Sequence, residues 1–236
     1  MGHRYRFFAD YDKQNNRWTL HGQELKHLKK VLRLSSSDII EVFDGRGYSA
    51  EAAAVFSSDG SSLEGEFITG FTKEPERRLR LALGALETSD FEAIIPGLIE
   101  LGVTDILVFL QDGVEKKRVS QKNQDRWERI AVSACKQSKR DWLPRFSVFK
   151  RLEGLDEILQ EGMEKIVLDG EGTPLAQRKI HSQDVIYAVG SEKGLGPSEL
   201  EFLSSRGFSP SSIGPYVLRA RTAAVGGAAV IASMKK

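Results

Sequence analysis

A single cysteine, Cys135, stands in the 236 residues, so no internal disulfide framework can form. Four histidines are scattered along the chain, none at a spacing from one another or from Cys135 that would hold zinc. No metal site is therefore expected, and Cys135 reads as a small buried apolar residue. No apolar run near Met1 resembles a signal peptide. The alanine- and glycine-rich stretch from Ala223 to Met234 is too short for a bilayer and is flanked by Arg219, Arg221, Lys235 and Lys236. These absences predict a cytoplasmic protein with no membrane contact. There is no Gly-Lys-Ser/Thr phosphate loop and no Gly-x-Gly-x-x-Gly dinucleotide fingerprint. No internal repeat is visible.

The chain has ample material for a core, being 40% hydrophobic and 28% charged, enough for one large or two modest domains. Net charge is only +1, but the sum hides a division. Residues 1–34 hold eight Lys or Arg against three acids, and residues 115–151 hold twelve against four. Residues 152–208 reverse this, with five against eleven. Segregated basic charge favours a polyanionic partner over an evenly solvated surface. Aromatic residues interleave with the bases in Arg4-Tyr5-Arg6-Phe7-Phe8, a pattern that suits either base stacking or a buried edge strand.

Periodicity predicts a small β domain over residues 1–72 and a larger α/β domain over 73–236, with the charged, proline-containing Lys73-Glu74-Pro75-Glu76 between them. In the first, Thr19 to Leu34 reads as a helix with Leu25, Leu28, Val31 and Leu32 on one stripe and Lys26, Lys29, Lys30 and Arg33 elsewhere. Ile39–Phe43 and Tyr48–Phe56 read as strands joined by Asp44-Gly45-Arg46-Gly47, where Asp-Gly signals a hairpin. A strand from Ser62 to Thr69 would complete a small barrel. In the second domain, strands at Leu79–Leu86, Asp105–Leu110, Lys165–Leu168, Val185–Val189 and Ser211–Ile213 alternate with helices, the mark of a parallel sheet. Ser89 is expected to cap the first helix, Gly102 to close it and Pro96 to kink it.

Two glycine-bearing segments near the end carry most of the functional information. Val189-Gly190-Ser191-Glu192-Lys193-Gly194-Leu195-Gly196-Pro197 follows an apolar run and precedes Pro197 and Glu199, which suit a first helical turn. It reads as strand, glycine turn, helix, at the sheet edge where α/β proteins bind ligands. Ile213-Gly214-Pro215-Tyr216-Val217-Leu218-Arg219 runs into Thr222-Ala223-Ala224. Glu192 inside the first turn would repel a pyrophosphate but tolerate a cationic ligand.

In order and spacing these segments resemble the RsmE family of the SPOUT superfamily, which methylates a uridine of 16S ribosomal RNA. The resemblance spans almost the whole chain: Arg6-Phe7-Phe8; His27-Leu28 with Val31-Leu32-Arg33; Phe43-Asp44-Gly45; Glu100-Leu101-Gly102-Val103; Trp127, Ile130-Ala131, Ala134-Cys135 and Gln137-Ser138; then Pro144 and both C-terminal segments. It implies a trefoil-knotted α/β methyltransferase domain behind a PUA-like β-barrel that grips RNA. It also implies homodimerisation through the C-terminal domain and 16S rRNA or the small subunit as partner. The cofactor would be S-adenosyl-L-methionine, held by Leu168, Gly190, Ser191, Glu192, Gly194, Ile213, Gly214, Leu218, Arg219, Thr222 and Ala223. Arg219 is the candidate for stabilising a deprotonated uracil, or else a helix-start residue pairing with phosphate or Glu192. Glu192 is the candidate base. Arg4, Arg6, Lys26, His27, Arg33, Lys136 and Arg140 are the expected RNA contacts.

The family's Gly-Pro-Glu-Gly-Gly is here Gly190-Ser191-Glu192-Lys193-Gly194, and its Arg-Thr-Glu-Thr-Ala is Arg219-Ala220-Arg221-Thr222-Ala223. Lys193 and Arg221 thus bring new cations to the site. Leu86-Glu87-Thr88-Ser89-Asp90 and Pro96-Gly97 stand where the family has lysines. The alternative to an rRNA uridine-N3 methyltransferase is accordingly a catalytically impaired member acting as an RNA-binding or ribosome-assembly factor.

Overall fold

The computed structural model describes residues 5–15, 17–20, 22–28, 39–53, 55–56, 63–65, 67–71, 75 and 77–234. The chain divides into two compact units, residues 1–74 with 135–143, and residues 75–134 with 144–236.

Among the described residues, the first unit holds two four-stranded sheets. One takes β1 (Arg6–Phe8), β4 (Ile39–Phe43), β5 (Tyr48–Ala53) and β8 (Phe67–Phe71) in that order, with β1 and β4 parallel and the rest antiparallel. The other orders β2 (Asp10–Asp12), β3 (Arg17–Leu20), β7 (Leu63–Gly65) and β6 (Val55–Phe56) antiparallel. Phe7, Trp18, Leu20, Leu25, Leu28, Ile40 and Val42 form its core. The Asp-Gly hairpin lies between β4 and β5 as expected, with Gly45 and Gly47 at φ +71° and +93°. A side chain on Gly47 would fall 2.3 Å from the Trp142 ring, so glycine is required there on two grounds.

The expected helix from Thr19 begins too early. Trp18 and Leu20 are buried while Arg17 and Thr19 are not, the period of a strand, and the described helix α1 is Gly22–His27. Residues 29–38 lie outside the described residues, as does Ser62 of the expected strand. The described part of that stretch falls into two strands, β7 and β8, which belong to different sheets.

The second unit carries a six-stranded, wholly parallel sheet ordered β11 (Arg145–Phe149), β10 (Val103–Phe109), β9 (Arg78–Gly84), β13 (Asp184–Val189), β12 (Glu164–Pro174), β14 (Ser209–Ser212). Helices α2 (Thr88–Glu100), α3 (Gln121–Ser138), α4 (Pro197–Ser205) and α5 (Ala220–Ser233) connect or cover it. The central strands β9, β10 and β13 are near-continuous apolar runs because both faces of a parallel sheet are covered there. All of β13 after Asp184 and all of β9 after Arg78 are buried.

Strand β11 went unrecognised because Arg145-Phe-Ser-Val-Phe149 is short and polar at alternate positions. Helix α2 starts at Thr88, so Ser89 lies within its first turn and caps nothing; Glu87 precedes the helix with no side-chain cap. Pro96 lies inside α2, and Gly102, at φ +85°, closes it.

The amino and carboxyl edges of this sheet differ in kind. At the amino edge Arg80, 4% exposed, pairs with Asp184 and with Asp105 at 3.6 Å, and Asp105 also receives Arg145 at 2.8 Å. Buried charges survive there because each has its counter-ion. The carboxyl edge carries glycines instead. Strand order reverses between β9 and β13, the switch point where open α/β sheets leave a crevice.

Candidate functional site

Chain reversal after β13 is the first construction step. A Cβ on Gly190 would lie 2.4 Å from the Gly194 carbonyl carbon, so the loop closes on itself only because that position is bare. Gly194 adopts φ +76° and donates its N–H to Ser191 O at 2.9 Å. The following helix starts as its sequence predicts: Pro197 occupies the first turn, and Glu199 Oε2 accepts the Gly196 N–H at 2.8 Å.

Side chains from the segment after β10 hold this loop. Gln111 Oε1 accepts the Ser191 N–H at 2.9 Å, and its Nε2 donates to Gly194 O at 2.8 Å and Glu199 Oε2 at 2.7 Å. Arg118, in a short 3₁₀ turn over Lys116–Val119, donates to Ala85 O at 2.9 Å and Glu192 Oε2 at 3.1 Å and also pairs with Glu87. Glu192 Oε1 accepts the Glu87 N–H at 2.7 Å. Neither Gln111 nor Arg118 was singled out in the sequence. The only signal available was that Gln111 follows a strand at the carboxyl edge.

Both glycine segments line one cleft of about 650 Å³, a size that suits a drug- or nucleoside-sized ligand. Of the eleven residues expected to hold a cofactor, ten line it: Leu168, Gly190, Ser191, Glu192, Gly194, Ile213, Gly214, Leu218, Arg219 and Ala223. Thr222 does not; it is exposed on the first turn of α5. Leu86, Asp90, Asp169 and Tyr216 line the cleft without having been expected.

Lys193 and Arg221 reach the cleft but do not fill it. Arg221 is held by Asp90 at 2.9 Å, so the cation that replaces the family's acid brings its own counter-ion. Arg219 precedes α5, is exposed, and among the described residues forms no ion pair. The pairing of Arg219 with Glu192 that the sequence allowed is not formed; Arg118 occupies that carboxylate.

Glu192 does not stand as a free base. Burial alone would raise its carboxyl, but the Glu87 N–H, its own N–H and the Arg118 guanidinium outweigh that and hold it below the ordinary glutamate value. Both of its oxygens are engaged. Three small residues of α5, Ala224, Gly227 and Ala228, are buried in this chain's own core together with Ile231. A Cβ on Gly227 would fall 2.7 Å from Leu168 Cδ1 and 3.0 Å from the Tyr187 ring. Tyr187 donates its hydroxyl to Ala224 O at 2.7 Å, and full burial drives its pKa well above the phenolic value.

The expected RNA contacts divide. Lys26 and His27 are exposed on α1. Arg6 is a correction: it is 7% exposed and paired with Asp141 and with Glu41 at 3.3 Å, because β1 gives Phe7 to the core and leaves Arg6 on the opposite face, where residues of the 135–143 segment cover it. Lys136 is half-buried and bonds Glu24 at 2.7 Å, and Arg140 is half-buried in the turn after α3. Arg4 and Arg33 lie outside the described residues. Cys135 is buried, and burial pushes its thiol up to about 11, so it is inert at neutral pH.

An RNA methyltransferase domain model matches residues 72–232, and an RNA methyltransferase PUA domain model matches residues 20–53. Ribosomal RNA small subunit methyltransferase E of Buchnera aphidicola (subsp. Acyrthosiphon pisum) is 30% identical over 231 residues, covering 93% of this chain and 89% of the relative. The chain belongs to the ribosomal RNA small subunit methyltransferase E family.

The family's protein from Synechocystis is 31% identical, over 87% of this chain and 69% of the relative. Among solved structures, the family's Neisseria gonorrhoeae protein, bound to S-adenosyl methionine, matches with TM-score 0.83 and 23% identity over 97% of each chain. A Legionella pneumophila putative methyltransferase in complex with the same cofactor matches with TM-score 0.85 and 22% identity, over 98% of this chain and 97% of its own. The fold of this family member is thus the α/β fold of these two methyltransferases, with an RNA methyltransferase PUA domain matched at residues 20–53. Among the described residues no cluster could hold a metal ion, and no helix is long and apolar enough to cross a membrane.

Proposed function

We propose that this protein transfers the methyl group of S-adenosylmethionine to N3 of a uridine in 16S ribosomal RNA. The observation that carries the reading is the single cleft made by both glycine segments at the carboxyl edge of the parallel sheet. Its residues suit such a ligand. Exposed loop backbone is available to an adenine. The acids Asp169 and Glu192 and the cations Lys193 and Arg219 line the same space, as a zwitterionic sulfonium compound requires. A pyrophosphate would meet Glu192 and Asp169 instead.

When bound, the cofactor supplies an electrophilic methyl carbon. The chain supplies position: loops at 168–170, 190–195 and 213–223 fix the donor, and holding donor and nitrogen in line removes much of the entropic barrier. Uridine N3 attacks only after losing its proton, here to solvent water, which leaves negative charge spread over the uracil carbonyls. Arg219, exposed in the cleft and without a carboxylate partner among the described residues, stabilises that charge. Glu192, already bonded twice, shapes the loop rather than accepting the proton.

By the same reading the first unit contacts RNA through Lys26 and His27, two chains pair through the C-terminal domain, and the protein works in the cytoplasm on the rRNA or the assembling subunit. The exposed Tyr216 and Val217 supply apolar surface for a base or a second copy. Incubation with labelled S-adenosylmethionine and small-subunit RNA, followed by nucleoside mass mapping, tests it. Label on uridine N3 is expected. Absence of both cofactor binding and transfer would end the proposal, and tight binding without transfer from saturating cofactor would mark an RNA-binding member that has lost catalysis.

A further inference from the structure

We propose that Gln111 is a positioning residue that sets cofactor affinity by clamping the glycine loop from behind. The inference rests on the reading that the cleft takes S-adenosylmethionine. Gln111 itself does not line the cleft, so it acts only through Ser191 and Gly194, which do.

Its one primary amide meets three separate needs. Oε1 accepts the N–H at the loop's start, Ser191, at 2.9 Å. Nε2 donates to the carbonyl at the loop's turn, Gly194, at 2.8 Å, and to the carboxylate at its exit, Glu199, at 2.7 Å. Glu199 in turn accepts the Gly196 N–H at 2.8 Å. Only a side-chain amide offers an acceptor and two donors without charge. The wall beside it leaves little freedom, since a Cβ on Gly84 would fall 2.5 Å from Gln111 Oε1 and 2.4 Å from Ser191 N. Ser191 is 3% exposed, so its amide has no water to turn to if the glutamine is lost. A misplaced loop changes the shape offered to the ligand, and a partly satisfied polar network does more damage than its separate bonds suggest.

The polarity of the clamp provides the test. Gln111→Glu keeps the acceptor for Ser191 but turns the donor into a carboxylate facing Gly194 O and Glu199. Adding Glu199→Gln restores a donor and acceptor between the two side chains. The readout is titration of S-adenosylhomocysteine by calorimetry, with cooperative melting as the check on folding. Gln111→Glu is expected to bind on the order of tenfold more weakly, the size of one lost buried bond to a charged neighbour, and the double variant to recover most of that. The KM for cofactor should move in parallel while the KM for RNA stays put.

Wild-type affinity in Gln111→Glu, or a loss that Glu199→Gln does not relieve, would overturn the assignment. If Gln111→Glu does not melt cooperatively, Gln111→Asn takes its place: an amide one methylene short should bind about tenfold more weakly, and unchanged binding overturns the proposal equally. A wild-type protein that ignores S-adenosylhomocysteine strikes at the cofactor reading itself and takes this inference with it.

Discussion

The two loops that meet at the cleft are anchored in opposite ways. The loop after β13 is fixed from outside the cleft by Gln111, Arg118, Glu87 and Glu199, and Gly190 and Gly194 let it close on itself. The loop from Ile213 to Arg219 has no such anchorage: among the described residues no side-chain hydrogen bond or ion pair reaches it. Tyr216 and Val217 are 81% and 99% exposed. One wall of the site is therefore built before any ligand arrives, while the other gains its contacts from what binds. A pre-formed wall lowers the ordering entropy of capture, and an open wall admits a bulky RNA substrate.

Damage to the built wall should be the most severe. Gly190→Ala drives a methyl group to 2.4 Å from the Gly194 backbone, which cannot move as a side chain could. S-adenosylhomocysteine affinity is expected to fall roughly a hundredfold, since overpacking a fixed site costs about 1–3 kcal/mol or more. Near-normal binding would show that the loop is not pre-formed.

Arg118→Met should come next, freeing Glu192 and Glu87 together, with cofactor binding weakened about tenfold, as for one lost bond to a charged group. The same variant sharpens the electrostatic side. Because Glu192 is held below the ordinary glutamate value of 4.5, it stabilises the fold fully above that pH, and its contribution fades as pH falls below it. Melting temperatures from pH 7 downward should therefore fall less steeply below pH 4.5 in Arg118→Met than in the wild type. Parallel curves would contradict the linkage.

Changes in the open wall should be felt in dynamics more than in stability. Amides 191, 194 and 196, each hydrogen-bonded within the built wall, should resist hydrogen exchange with or without S-adenosylhomocysteine, whereas amides 214 and 216–218 should exchange quickly alone and slow on binding. Equal protection of both loops in the free protein would break the contrast. The smallest effect is expected from Val217→Ser, which should leave melting unchanged within about 0.5 kcal/mol, as for an exposed position without partners.

Much of the proposed site was legible because its loops are shaped by backbone chemistry. Glycines, Pro197 and the spacing to Glu199 are written locally, and ten of the eleven residues expected to hold the cofactor line one cleft. Thr222 falls outside that cleft because helix phase decides which residues of a first turn face it, and that phase is set by α5 packing Ala224 and Gly227 on Leu168 and Tyr187. Arg6 failed likewise: its neighbours suggested a basic surface, yet strand alternation turned it toward Asp141, 135 residues away.

By itself the sequence determined the strand–helix alternation of the second unit, the hairpin at Asp44-Gly45, the proline-started helix after Gly196, and the family, because each rests on local periodicity, turn chemistry or ordered motifs. Only the tertiary structure decided that Arg118 rather than Arg219 neutralises Glu192, that Asp90 restrains Arg221, and that Gln111 holds the loop. Those pairings join residues 74, 131 and 80 positions apart. Their partners are chosen by which strand ends the parallel sheet brings side by side, and no local pattern encodes that choice.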